Sequence, residues 1–161
     1  MGSTSIDNMQ KSSLRAFHTY MFLKLPAAWW TGVRVTYSDD FRTEVVVKYR
    51  WANQNPFGSI FWAVQGMAAE LSTAVFLMQN IRKSHQAISM LVLQNQAVFK
   101  KKAKGRVVFR CSQGQEASAA VQKAIETGEA VTLHLHSVGT DSQDDTVAEF
   151  DFKWTLKKKT K

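Results

Sequence analysis

The chain has 161 residues, 45% of them hydrophobic and 21% charged, with a formal net charge of +8. That length buries a core without disulfides or metals, and the composition lies far from that of disordered chains. A single cysteine, Cys111, excludes an internal disulfide and a thiolate zinc cluster, so no metal or other cofactor is expected and the reducing cytoplasm is the expected compartment.

The start of the chain is small and polar, unlike a secretory signal. The longest apolar run, 57 to 78, is broken by Gln65 and Glu70, and a carboxylate at the bilayer centre costs on the order of 3 kcal/mol, so no membrane span is expected. The positive charge collects at Lys100, Lys101, Lys102, Lys104 and Arg106, and again at Lys157, Lys158, Lys159 and Lys161. These read as a solvated turn and a frayed tail, and no nucleic-acid motif accompanies them.

Taken in chain order, residues 11 to 24 place Leu14, Phe17 and Met21 at helical spacing, and Pro26 ends that amphipathic helix. Trp29 and Trp30 follow as packing or interface anchors. Residues 33 to 38 and 43 to 50 alternate apolar and polar side chains around Ser38-Asp39-Asp40, which predicts a hairpin. Residues 58 to 80 read as one long helix, apolar around most of its circumference. A β-prone run at 86 to 100, a turn at Lys101 to Gly105 and alternation at 107 to 111 predict a second hairpin. Residues 115 to 127 predict a short helix closed by Gly128. Val131, Leu133 and Leu135 mark another strand, and Ala148, Phe150, Phe152, Trp154 and Leu156 give the cleanest alternation of all.

Six strands with one apolar face each require a cover, and the helix at 58 to 80 is the only element large and apolar enough. The predicted architecture is α+β, a curved six-stranded antiparallel sheet around a long central helix, with an N-terminal helix and a short extra helix. It forms one domain over 1–161, with a core at about 11–156 and frayed ends at 1–10 and 157–161. On the central helix Ser59, Ala63, Gly66, Glu70 and Thr73 share one narrow stripe, and Gln65 and Ser72 form a second. A carboxylate among apolar residues must be paired, be protonated or face a pocket. Two readings of Glu70 stand about even: an ion pair with an arginine such as Arg34 or Arg50, or with a partner subunit, and a general base that activates water. Pro56 near the first helical position and Gly58, which permits close backbone approach, would make the helix entry a donor site for a carbonyl.

The order of elements, together with Asn55-Pro56-Phe57-Gly58-Ser59-Ile60-Phe61 at the helix entry, resembles the hotdog superfamily of acyl-CoA thioesterases and dehydratases. Within it the chain is similar to an uncharacterised thioesterase-like family. In phenylacetyl-CoA-type members the loop carries Asn, then His-Gly-Gly, then an acid about two turns on. Here Asn55 matches the asparagine, Phe57 stands for the histidine, Gly58-Ser59 for the glycines, and Gly66 for the acid, with Glu70 one turn later. The resemblance implies Asn55 and Glu70 as catalytic residues, and Gly58, Ser59, Gln65, Gly66 and Thr73 as substrate-binding residues. It also implies an acyl-CoA or similar thioester as partner, with Lys100 to Arg106 meeting its phosphates, and a homodimer or dimer of dimers. The alternative is a non-catalytic hotdog module that binds an acyl chain, or a dimeric scaffold. His134 and His136 read as polar-face residues, and Cys111 as a buried hydrophobe.

Overall fold

The computed structural model describes residues 3–159, with side chains from residue 13 onward. Helix α1 spans Ser3–Lys24 and α2 spans Pro26–Trp30. The sequence reading frayed the first ten residues, whereas the helix begins at Ser3; residues 1, 2, 160 and 161 lie outside the described part. Met21, on the predicted apolar stripe, is fully buried, and Leu14 and Phe17 pack against the core.

Strands β1 (Arg34–Ser38) and β2 (Thr43–Lys48) form the expected hairpin. Asp39 closes it by accepting hydrogen bonds from the amides of Phe41 and Arg42 at 2.8 and 2.7 Å. A single 3-10 turn, Trp51–Asn53, leads to the entry loop, and α3 runs over Trp62–Ser84. The helix therefore starts four residues later than the sequence predicts. Gly58 adopts φ +71°, a left-handed conformation no helix can include, so Gly58 to Phe61 remain loop and Ser59 leaves the helical stripe.

Strand β3 covers Ile88–Phe99, β4 Arg106–Cys111, α4 Gly114–Thr127, β5 Val131–Thr140 and β6 Thr146–Lys158. Gly128 ends α4 at φ +70°, as expected. Strand β6 carries order to Lys158, into the predicted frayed tail. All neighbours are antiparallel, in the order β1-β2-β4-β5-β6-β3. The predicted second hairpin does not form. Strand β3 pairs with β6 along its whole length while β4 inserts between β2 and β5, so Lys100 to Gly105 is a crossover. Alternation reveals a strand; it does not reveal that strand's neighbour.

The six-stranded sheet curves around α3, which is the hotdog arrangement. Val64, Ala68, Ala69 and every residue from Leu71 to Leu77 are buried. The inner face supplies Phe109, Phe150, Phe152 and Trp154; the Phe150 ring lies 5.9 Å from Phe109 and 6.1 Å from Phe152. Gly139 on β5 makes room for this cluster, since a Cβ there would stand 2.5 Å from the Phe109 ring. Polar ties join helix to sheet, among them Gln79 Nε2 donating to Ser38 Oγ at 2.9 Å. Trp154 Nε1 donates to Thr73 Oγ1 at 3.0 Å, and the hydroxyls of Ser72 and Ser137 lie 2.7 Å apart. Among the described residues no helix is long and apolar enough to cross a membrane.

Candidate functional site

The entry loop is organised by Asn55. Its Oδ1 accepts from the amides of Phe57 and Ser59 at 3.0 and 3.2 Å, and its Nδ2 donates to Ser59 Oγ at 3.0 Å. The Gly58 amide donates to the Asn55 carbonyl at 3.2 Å, and the Ile60 amide to the Ala103 carbonyl at 2.9 Å. The amides around Gly58 and Ser59, expected to face a ligand, are thus consumed in making the loop. The next two, of Trp62 and Ala63, open α3 without an acceptor among the described residues, and Phe61 supplies no side-chain cap.

Glu70 lies in a groove of about 600 Å³ lined from α1, α2, α3, β3 and β6, with Tyr20, Lys24 and Trp154 among its lining residues. Residues Leu25 to Ala28 form one side, Met67, Leu71, Ala74 and Met78 of α3 the floor, and Met90, Leu91 and Val92 of β3 the other side. The Glu70 side chain is exposed to solvent, yet the apolar groove wall partly desolvates its carboxylate and pushes its pKa above the ordinary carboxyl range. It forms no ion pair with any described residue; Arg34 and Arg50, the sequence-level candidates, face a different cleft. A second cavity of about 750 Å³ adjoins the groove, and Tyr20 and Met78 line both.

The remaining predicted residues are distributed as follows. Gly66 is half-buried on α3, one turn before Glu70, with the Phe150 ring 3.7 Å from where a Cβ would stand. Thr73 is buried and its hydroxyl both donates to the Glu70 carbonyl and accepts from Trp154. Gln65 is buried; its Nε2 donates to the Ile60 carbonyl at 3.1 Å, while its Oε1 has no partner. Ser59 is buried against Asn55. None of the three cavities described among these residues contains both Asn55 and Glu70. The residues of α2 and β3 that wall the groove were not legible in the sequence, because only the meeting of distant segments makes them a wall.

Two residues of the basic cluster after β3 are paired with carboxylates. Lys100 pairs with Glu149 at 2.6 Å, and Lys101 with Asp141 and Asp145, each at 2.7 Å. Cys111 is buried, and desolvation pushes its thiol up to about 11. His136 Nδ1 lies 2.8 Å from Asp151 on the polar face of the sheet.

A curved six-stranded antiparallel sheet around one long helix defines the hotdog fold. The chain belongs to the domain of unknown function DUF4442 family, whose model matches residues 14–156. A Pseudomonas aeruginosa protein of unknown function, designated a probable thioesterase, is similar at 19% identity and TM-score 0.69, over 80% of this chain and 85% of that one. A candidate thioesterase from Shewanella oneidensis shares 10% identity at TM-score 0.76, over 90% and 97%. A thioesterase from Staphylococcus aureus, solved as a glutamine-to-alanine mutant, shares 14% identity at TM-score 0.60, over 78% and 93%. No curated protein sequence matches the chain significantly.

Proposed function

We propose that the chain hydrolyses acyl thioesters, with Glu70 as general base, and that it works as a homodimer whose sites lie between subunits. The observation that carries this reading is Glu70 itself: an acid without an ion-pair partner, raised by burial, on the wall of an apolar groove. The acyl chain lies along Met67, Ala74, Met78 and Met90. Glu70 takes a proton from a water molecule as its oxygen attacks the thioester carbonyl; the tetrahedral intermediate then expels the thiolate, which regains the proton. Amides with unmet acceptors at Trp62 and Ala63, at the positive end of α3, stabilise the oxyanion in place of those at Gly58 and Ser59.

The edge strand β3 supports the dimer reading. Its outer edge is unpaired among the described residues and carries exposed Leu91, Leu93, Val98 and Phe99, a long apolar edge of the kind proteins cover. Residues 90 to 92 border the Glu70 groove, whereas the other end of β3 runs into Ala103, which holds Ile60 of the entry loop. Antiparallel pairing of two β3 strands sets the start of one beside the end of the other. Each copy's Asn55 loop then meets the other copy's Glu70, which accounts for their separation within one chain. In the Staphylococcus aureus thioesterase the substituted glutamine and glutamate stand fifteen positions apart. Asn55 and Glu70 have the same spacing, which supports Glu70 rather than Gly66 as the position of the acid.

Incubation with a panel of acyl-CoA thioesters, with free thiol as the readout, tests the proposal. Turnover of at least one chain-length class is expected. Retention of an acyl ligand with no turnover of any member would favour the non-catalytic binding module.

A further inference from the structure

Three tryptophans and two arginines gather at the C-terminal end of α2, where Trp29, Trp30, Arg34, Arg50, Trp51 and Ala52 line a cleft of about 430 Å³. The sequence puts them far apart; the β1–β2 hairpin brings Arg34 and Arg50 together. The Arg34 guanidinium lies 3.6 Å from the centroid of the Trp29 ring and donates to the carbonyls of Trp29 and Val33 at 2.8 and 2.7 Å. Arg50 donates to the Trp30 carbonyl and rests against Gly32, where any Cβ would stand 2.8 Å from its guanidinium.

No carboxylate among the described residues pairs with either arginine, and the positive charge of Arg50, after burial, lowers the Arg34 pKa. Two like charges held close by backbone carbonyls repel each other, and a bound anion would offset that repulsion. Trp51 stands 85% exposed on the rim, the most exposed large hydrophobic side chain among the described residues. A bare indole beside paired guanidiniums suits a ring stacked on one and phosphates forked by the other. Of the predicted phosphate run at 100 to 106, Lys100 and Lys101 are occupied by carboxylates, while Lys102, Lys104 and Arg106 pair with no carboxylate among the described residues.

We infer that this cleft binds a phosphorylated purine nucleoside, the nucleotide end of a CoA thioester, with Arg34 and Arg50 on the phosphates and Trp51 stacked on the base. The inference rests on the thioester reading of the groove. Position supports the link: Trp51 and Ala52 lead directly into the Asn55 loop, and buried Asn53 pins that turn by donating to the Thr31 and Lys48 carbonyls at 2.9 and 2.8 Å.

The test titrates the purified full chain with adenosine 3′,5′-bisphosphate and follows tryptophan emission. Saturable quenching is expected, weakened about tenfold or more in Arg50→Gln and about fivefold in Trp51→Ala. The Trp51 side chain is largely exposed, so its variant stays informative if Arg50→Gln misfolds. Absence of saturable binding, affinity indifferent to Trp51→Ala, equal affinity for inorganic phosphate, or preference for an acidic peptide would each overturn the assignment. Hydrolysis separates this failure from failure of the thioesterase reading. Arg50→Gln should raise KM for an acyl-CoA and leave turnover of the matching N-acetylcysteamine thioester, which lacks the nucleotide, unchanged. An equal loss on both substrates contradicts a nucleotide role, and if neither is hydrolysed the titration alone still decides.

Discussion

Replacing Glu70 by glutamine keeps the side chain's shape and removes its basicity. General-base catalysis contributes typically 10²–10⁴-fold, so acyl-CoA turnover should fall by that factor with KM nearly unchanged. Stability should move the other way. Glu70 has no ion pair to lose, and burial raises its pKa, so the folded protein holds that proton more tightly than the unfolded chain. As pH rises from the ordinary glutamate range through the raised folded value, the wild type loses stability and the variant does not. Glu70→Gln should therefore melt at the same temperature or higher at neutral pH, and the difference should vanish below the ordinary carboxyl range. Free-thiol release across pH, alongside calorimetric melting of both proteins, reads both effects. Retention of more than a tenth of wild-type turnover would remove Glu70 as the base. A stability loss of about 3 kcal/mol would show instead that it belongs to a buried ion pair.

Thr73→Val strips the acceptor from the buried Trp154 indole and should cost about 1–3 kcal/mol, or about 2–4 °C of melting temperature per kcal/mol, measured by thermal denaturation. Leu93→Lys on the outer edge of β3 should shift the chain from dimer to monomer in sedimentation velocity and abolish turnover without unfolding it; an active monomer would refute the two-subunit site. Cys111, with its thiol pushed up to about 11, should react with a thiol reagent at pH 8 only as fast as the protein opens, and at full speed in denaturant.

Much of the architecture was legible because burial imposes a period. Phe150, Phe152 and Trp154 alternate with Glu149, Asp151 and Lys153, and all three aromatics lie in the core. The apolar circumference of α3 likewise announced a helix enclosed by sheet. The helix start was misplaced because Pro56 and Gly58 suit both a helical first turn and a loop, and the choice fell to Asn55, whose side chain closes that loop on itself. The pairing of β3 was misread for a related reason: a turn of five residues joins a hairpin as readily as a crossover, and contacts with β6 decide between them.

The chain's own pattern of apolar and polar residues determined that six strands and a central helix exist, and that one acid sits on an otherwise apolar stretch. Periodicity is a local property, written in spacing. What surrounds that acid, where the free sheet edge falls, and which arginines lack a counter-charge depend on segments distant in sequence, so only the tertiary structure decided them. Arg34 and Arg50 illustrate the difference, offered by spacing as partners for Glu70 and placed by the hairpin beside each other.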